Sequence, residues 1–201
     1  IGFHVSNFFL KKNWNVIGVD NINSYYDINL KLARNQLLKK SENYIFYKNN
    51  IEDEKSIRNI FYKHNPSYVI HLGAQAGVRY SIIEPKSYLK SNIIGTFNML
   101  QLCAEQNIKH ILFSSTSSVY GFNEKQPFKE IDQTDYPSSF YSATKKSNEL
   151  MAHYYSHISK TPMTMLRLFT VYGPWGRPDM SLFKFTDAIL NDKPIKVYNN
   201  G

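Results

Sequence analysis

The sequence predicts an α/β protein built on a doubly wound parallel sheet. Short, almost wholly apolar segments alternate with longer amphipathic segments throughout the 201 residues. The apolar segments have the length and composition of parallel strands that are covered on both faces. No internal repeat or low-complexity linker interrupts the alternation. Strand–helix alternation of this kind implies right-handed crossovers between neighbouring parallel strands.

Five strands and five helices are expected in this order. The strands are predicted at 15–19, 44–47, 68–72, 110–113 and 163–169, and the helices at 4–12, 27–40, 54–64, 85–106 and 141–160. In the fourth helix, apolar residues recur at three-to-four spacing and predict one buried stripe. The stripe comprises Leu89, Ile93, Thr96 or Phe97, Leu100, and Cys103 or Ala104.

Both ends of the sequence suggest an incomplete fold. The chain opens with Ile1 and Gly2 directly on a helix, so the strand that should precede that helix is expected to be missing. It closes on Asn199-Asn200-Gly201, which is typical of a turn inside a β-hairpin.

Composition narrows the class of protein. The net charge of +8 suits a polyanionic small molecule, but the lysines are scattered, so no nucleic-acid partner is expected. Cys103 is the one cysteine, which excludes an internal disulfide, and the six histidines lack metal-ligand spacing, so no metal site is expected. No segment resembles a membrane span or a signal peptide, which predicts a cytoplasmic protein without a membrane partner.

Asp20 is the first residue that indicates a ligand. It ends the second strand of the predicted sheet, where an acidic side chain can accept hydrogen bonds from both hydroxyls of an adenosine ribose. Its usual partner is a glycine-rich turn that binds the pyrophosphate, and only the last glycine of such a turn, Gly2, could be present.

Tyr141 and Lys145 form the second indication. Their i, i+4 spacing places them on one face of the fifth predicted helix. An ammonium beside a phenol stabilises the phenolate and lowers the tyrosine pKa from about 10 toward neutrality. Such a tyrosine can take a proton from a hydroxyl group and return it.

Five consecutive hydroxyl residues, 114–118, form the third indication. They follow the strand predicted at 110–113, at the sheet edge where ligands bind in doubly wound folds. A plain serine-rich turn is the alternative.

Together, Thr116, Tyr141 and Lys145 resemble the extended short-chain dehydrogenase/reductases, the NAD-dependent epimerase/dehydratase family that acts on nucleotide sugars. The segments 71–79 and 92–96 are similar to the same family. The resemblance implies a Rossmann-like NAD-binding domain over 1–172, lacking its first strand, and the start of a sugar-nucleotide-binding portion over 173–201. It also implies a homodimer formed through the helices that carry Asn92 and Tyr141.

The resemblance assigns roles residue by residue. It implies that Thr116, Tyr141 and Lys145 are catalytic. NAD would contact Gly2, Asp20, Asn50, Ile51, Leu72, Gly73, Ala74, Asn92 and Lys145. The UDP-sugar would contact Gln75, Arg79, Ser117, Ser118, Thr170 and Arg177. Family members usually carry an aspartate where Asn50 stands, which is a departure from the pattern.

Ser117 and Ser118 favour one reaction of the family. Its 4,6-dehydratases carry Asp-Glu at these two positions, because elimination of water needs an acid and a base beyond the tyrosine. Two serines favour 4-epimerisation through a 4-keto sugar instead.

The segments 141–153 and 166–180 resemble those of UDP-glucuronate 4-epimerases, so UDP-glucuronate is the expected substrate. Arg177 with Ser117 and Ser118 would hold its carboxylate. Two alternatives remain open: epimerisation of a neutral UDP-hexose, and a non-catalytic remnant that binds a nucleotide sugar or a partner.

Overall fold

The computed structural model describes residues 1–106, 108–195 and 197. Across these residues the strands are β1 (Val16–Asp20), β2 (Tyr44–Lys48), β3 (Tyr68–His71), β4 (His110–Thr116) and β5 (Met163–Leu168). The helices are α1 (Gly2–Leu10), α2 (Ile28–Leu38), α3 (Glu54–His64), α4 (Tyr80–Ile83), α5 (Pro85–Tyr88), a π-helix (Leu89–Ile94), α6 (Gly95–Glu105), a 3-10 helix (Ser117–Tyr120), α7 (Phe140–Ser159) and α8 (Ser181–Leu190). The Asn199-Asn200-Gly201 turn lies outside the described residues.

The strands form two sheets within the described residues. β3, β4 and β5 are adjacent and parallel, with Val69 opposite Ile111 and Ile111 opposite Met163. β1 pairs with β2 in the other sheet. All five predicted strands are confirmed, and the parallel three-stranded sheet with helices between its strands confirms the predicted α/β class. The main difference is that β4 continues three residues further than predicted, to Thr116.

The chain divides into two compact units. The first comprises the described residues of 1–18, 22–47 and 170–201, and the second comprises those of 19–21 and 48–169. The second unit holds the three-stranded sheet, on which α6 and α7 pack with buried faces. In the first unit, α1 packs on α2. The domain division at residue 172 remains a prediction.

The fourth predicted helix is not continuous. Residues 80–105 form α4, α5, the π-helix and α6 in succession, and the π-helix accommodates an extra residue in one turn. The predicted stripe is therefore wrong in its first half, because Leu89 is exposed. Tyr88 and Asn92 are fully buried in its place, and Thr96 and Leu100 continue the buried face as predicted.

Two further elements have clear local causes. Asp27 caps α2 by accepting from Asn29 N at 2.8 Å, and Asp53 caps α3 through Ser56 N. The helix α8 was not predicted.

Across the described part of the chain, none of the helices combines the length and apolar character that crossing a membrane requires. Those same residues contain no cluster of three or more potential metal ligands.

Candidate active site

Lys145 lies in the second unit, where α7 packs against β4. A capping box between Ser139 and Ser142 begins α7 and fixes the turn that carries Tyr141. Lys145 follows one turn later and is only 2% exposed. Its Nζ donates to Ser114 O at 2.8 Å, which ties the helix to the carboxyl end of the strand. Burial lowers the pKa of Lys145 to about 8, because desolvation disfavours the charged ammonium. Lys145 therefore remains mostly charged near neutral pH.

Tyr141 packs against a second tyrosine. Its ring meets the ring of Tyr88 edge to face, with 6.0 Å between the centroids. The buried Tyr88 hydroxyl lies 3.0 Å from Ala76 O and 2.5 Å from Gly77 O. The loop that follows β3 is thereby connected to the face of α7 that carries Tyr141 and Lys145.

Thr116 ends β4 and is buried. Its Oγ1 accepts from Ser118 N at 3.2 Å, which caps the 3-10 helix, and donates to Ser118 Oγ at 3.2 Å. Ser117 and Ser118 are half-buried on that 3-10 helix, which packs against α7. The structure therefore brings Thr116, Ser117 and Ser118 to the same strand end that Lys145 contacts through Ser114.

Asn92 fastens the loop after β3 to α7. Its Oδ1 accepts from Gln75 N at 2.8 Å, and its Nδ2 donates to Gln75 O and to Thr144 Oγ1, each at 3.0 Å. Both amide hydrogens and the oxygen of the fully buried side chain are thus engaged by protein groups. This geometry shows Asn92 as a residue that positions the loop, while its predicted contact with a cofactor remains a prediction.

Glu149 and Arg167 form a buried ion pair that sequence reasoning missed. Arg167 donates from Nε to Glu149 Oε1 at 3.0 Å and from Nη2 to Oε2 at 2.9 Å, and Ser115 Oγ donates to Oε1 at 2.6 Å. Burial would raise the pKa of Glu149, but the hydrogen bonds from Arg167 and Ser115 outweigh it and the pKa is lowered. One signal existed in the sequence: Glu149 continues the i, i+4 series of Tyr141 and Lys145.

His71 is a buried neutral base beside this site. Burial, assisted by the charge of Lys145, lowers the pKa of His71 to about 3. Its Nε2 lies 3.1 Å from Thr96 Oγ1.

The residues predicted to bind NAD in the second unit lie at strand ends and in loops. Asp20 is exposed at the end of β1, and its backbone O accepts from Asn49 N at 3.2 Å. Asn50 Oδ1 accepts from Asn21 Nδ2 at 3.0 Å. Ile51 packs so closely on Gly95 that a Cβ atom at position 95 would clash with the Ile51 side chain. The remaining members follow β3 and are half-buried or exposed: Leu72, Gly73 and Ala74.

The other predicted contacts are distributed between the units. Gln75 is buried and Arg79 is exposed in the second unit, whereas Gly2 and Thr170 are exposed in the first. Each keeps its predicted role as a prediction.

Arg177, in the first unit, is paired with a carboxylate of its own loop. It donates from Nε to Asp179 Oδ1 at 2.9 Å and from Nη2 to Oδ2. The Tyr25 hydroxyl donates to the same Oδ2 at 3.3 Å, and the guanidinium stacks on the Tyr25 ring at 5.6 Å. Arg34 Nη2 holds the loop through Trp175 O at 2.5 Å and Gly176 O at 3.0 Å. Asp179 and Arg34 were not predicted.

The chain belongs to the nucleotide-sugar epimerase/dehydratase family, because residues 1–197 match the family model described as GDP-mannose 4,6 dehydratase.

Two individual relatives match the whole length of the chain. Protein CapI of Staphylococcus aureus is 51% identical over 201 residues, which are 100% of this chain and 60% of that protein. A probable UDP-glucuronate 4-epimerase of Rhizobium meliloti (strain 1021) is 48% identical over 201 residues, or 100% of this chain and 59% of that protein. The chain thus spans about three-fifths of the length of these relatives.

A solved structure supports the same grouping. The UDP-glucuronic acid 4-epimerase from Bacillus cereus, in complex with UDP-glucuronic acid and NAD, is similar with a TM-score of 0.93 at 31% identity. The match covers 100% of this chain and 63% of that one. The predicted family and Rossmann-like fold class are therefore confirmed.

Proposed function

We propose that the whole protein is an NAD-dependent 4-epimerase of a nucleotide sugar. The observation that carries the proposal is the buried Lys145, one helical turn from Tyr141 and bonded to Ser114 at the end of the strand that carries Thr116. A cation held there by packing favours the phenolate of its neighbour. The relatives that are UDP-glucuronate 4-epimerases support the same assignment.

The described residues fit a dinucleotide in their chemistry. Asp20 presents an exposed carboxylate that can accept from ribose hydroxyls, and Lys145 retains ammonium donors beyond its bond to Ser114. Gly73 is exposed, and even a Cβ atom added there would make only ordinary van der Waals contacts. A ligand can therefore approach its backbone closely. When bound, NAD supplies the hydride acceptor for C4 of the sugar and then returns the hydride.

The protein residues transfer the hydroxyl proton and bind the C4 oxygen of the sugar. Tyr141, as phenolate, removes the proton of the sugar 4-hydroxyl, and C4 is oxidised to a ketone. The Thr116 hydroxyl, which donates to Ser118 Oγ in the structure, would turn its proton to the C4 oxygen and keep that oxygen in place. The 4-keto sugar then turns its other face, C4 is reduced, and Tyr141 returns the proton to the oxygen. Lys145 stays charged throughout and stabilises the phenolate.

The residues after Thr116 favour epimerisation over dehydration. The family model carries a dehydratase name, whereas the relatives at 48% and 31% identity are epimerases. Ser117 and Ser118 stand where a dehydratase needs carboxyl groups to move the second proton. Hydroxyl groups can hold a substrate but cannot serve as that acid and base near neutral pH.

UDP-glucuronate is the substrate we propose. Its carboxylate needs donors, and the hydroxyls of Ser117 and Ser118 or the guanidinium of Arg177 would supply them through charge-assisted hydrogen bonds. A neutral UDP-hexose is the second candidate, favoured by 33% identity to a UDP-glucose 4-epimerase from Thermotoga maritima. Comparing kcat/KM for the acidic and the neutral sugar separates the two.

The test uses the full-length protein with NAD and UDP-glucuronate. NMR should show conversion to UDP-galacturonate, and Tyr141→Phe should lower kcat at least 10²-fold, because removing a general base has an effect of about that size. Tyr136→Phe is the matched control, since Tyr136 is an exposed tyrosine of the same unit that lies outside α6 and α7. The proposal fails if neither sugar is epimerised, or if the two variants behave alike.

A homodimer formed through α6 and α7 is also proposed. Both helices expose apolar side chains in the described part of the chain, including Phe97, Leu150, Tyr154 and Ile158. Sedimentation of full-length protein should give a dimer, and Leu150→Arg should give a monomer. A cytoplasmic location remains a prediction.

A further inference from the structure

The core of the second unit contains a small cavity between β4 and α7. Its volume is about 10 Å³, counted as the space open to the centre of a water molecule, so it has room for about one water. Six of its eight lining residues carry polar side chains, among them His71, Ser114, Lys145, Asn148 and Glu149, although carbon atoms form most of its surface. A cavity of this size that offers polar partners can hold an ordered water.

Asn148 presents an unpartnered acceptor at this cavity. Its Nδ2 donates to Thr96 Oγ1 at 3.2 Å, but its Oδ1 has no hydrogen-bond partner among the described residues. The side chain is 7% exposed, so bulk water does not solvate this oxygen. A buried carbonyl without a donor costs about 1–3 kcal/mol, which makes a bound donor favourable here.

Lys145 has hydrogen-bond donors that lack an acceptor among the described residues. An ammonium carries three donors, and among the described residues only Ser114 O accepts one of them. Lys145 and Asn148 are three residues apart on α7 and therefore lie on the same face of the helix.

Among the described residues that line the cavity, no carboxylate is left to neutralise Lys145. Glu149 lines the same cavity, but its two oxygens accept from Arg167 and Ser115. His71, from β3, carries no charge, because burial and the charge of Lys145 lower its pKa to about 3. The titratable groups that line the cavity beside Lys145 are His71 of β3 and Glu149 of α7, and Arg167 of β5 is bonded to Glu149.

We infer that this cavity binds one internal water molecule that accepts from Lys145 Nζ and donates to Asn148 Oδ1. The water solvates the ammonium from the side away from the substrate, and Asn148 holds the water in place. Asn148 is therefore a positioning residue that acts through Lys145. The effect of this water on Tyr141 rests on the proposed function. The existence of the water site does not depend on it.

The water should set the protonation of Lys145, with a direction that follows from solvation. Burial lowers the pKa of Lys145 to about 8, because desolvation disfavours the charged ammonium. Removing the water should lower the pKa further. A carboxylate at position 148 should raise it.

Two measurements on the full-length protein test the site without using turnover. A crystal structure near 1.5 Å resolution should show one water within hydrogen-bond distance of Lys145 Nζ and Asn148 Oδ1. NMR titration of protein labelled with ¹³Cε-lysine, with the Lys145 signal assigned through Lys145→Arg, should report the pKa directly. Asn148→Leu should lower that pKa by about one pH unit and Asn148→Asp should raise it.

Ser147→Ala is the matched control, because Ser147 donates to the helix backbone at Ala143 O and does not line the cavity. It should leave the Lys145 pKa unchanged. A dry cavity in the crystal, or an unchanged pKa in a folded Asn148→Leu variant, overturns the inference. Should Asn148→Leu fail to fold, the crystal structure decides alone. If the wild-type protein shows no epimerase activity, the proposed function is refuted. Both measurements of the water site can still be made on that protein.

Discussion

Two arginine–carboxylate pairs, one in each unit, have the same bidentate contacts and different surroundings. In the second unit, Arg167 and Glu149 are 18 residues apart and join β5 to α7. In the first unit, Arg177 and Asp179 are two residues apart in one loop. The side chains of the first pair are 19% and 8% exposed, against 30% and 24% for the second.

The partners of the two pairs also differ. Glu149 accepts from Ser115, and Arg167 donates to Glu130 O at 3.0 Å and stacks on the Tyr120 ring at 5.0 Å. Asp179 has one further hydrogen bond, from Tyr25. The first pair therefore connects α7 and β5 with β4, the loop at Glu130 and the 3-10 helix. The second pair holds an arginine that an external carboxylate could reach with little rearrangement.

Removing one partner of the buried pair should have the largest effect. Glu149→Ala leaves the partly buried Arg167 guanidinium without its carboxylate, so the free energy of unfolding should fall by about 3 kcal/mol. Urea denaturation of the full-length protein measures it. The double variant Glu149→Met with Arg167→Met should recover more than half of the loss. A single variant within 1 kcal/mol of the wild type would remove the distinction between the pairs.

Glycines in the two regions provide a second contrast. Gly121 has φ +58°, and a Cβ there would meet Tyr136 O, whereas Gly173 has φ +136° with open space around it. Backbone strain alone costs on the order of 1–3 kcal/mol, so Gly173→Ala should destabilise by about that amount. Gly121→Ala should destabilise more, because a backbone clash is added to the strain. Thermal unfolding of both variants checks the order, and equal losses would contradict the contrast.

The loop pair should affect ligand affinity more than stability. Asp179→Asn removes the carboxylate that competes for Arg177, so UDP-glucuronate should bind several-fold, up to about tenfold, more tightly (~1.4 kcal/mol). UDP-glucose should bind unchanged, and Arg177→Met should weaken only the uronate. Calorimetry on the full-length protein measures all three. If Asp179→Asn weakens the acidic sugar, Asp179 positions Arg177 and does not compete with a ligand for it.

Strands and the local helix pair could be read from the sequence, because their signals are short in range. Apolar runs defined β3 to β5, and the i, i+4 spacing defined Tyr141 and Lys145. The Glu149–Arg167 pair depends on a helix and a strand meeting, and the i, i+4 position of Glu149 does not identify its partner. An arginine inside the apolar strand 163–168 was the stronger hint, because a charge in a covered strand needs a counterion.

The exposure of Leu89 could not be predicted, because a regular helical period was assumed through the π-helix. The apolar residues on both sides of it continue the pattern, so nothing in the residue types marks the extra residue. Asp179 and Asn148 were missed for another reason. Their roles come from groups that their side chains meet only after folding.

The π-helix has a consequence for mutagenesis. Deleting one residue between Leu89 and Ile94 would restore a regular helix, yet it would rotate everything on one side of the deletion by about 100°. Either Tyr88 and Asn92 or Thr96 and Leu100 would then point into solvent. A shorter chain would gain helical hydrogen bonds and release the loop at Gln75 from α7, the helix that carries Tyr141.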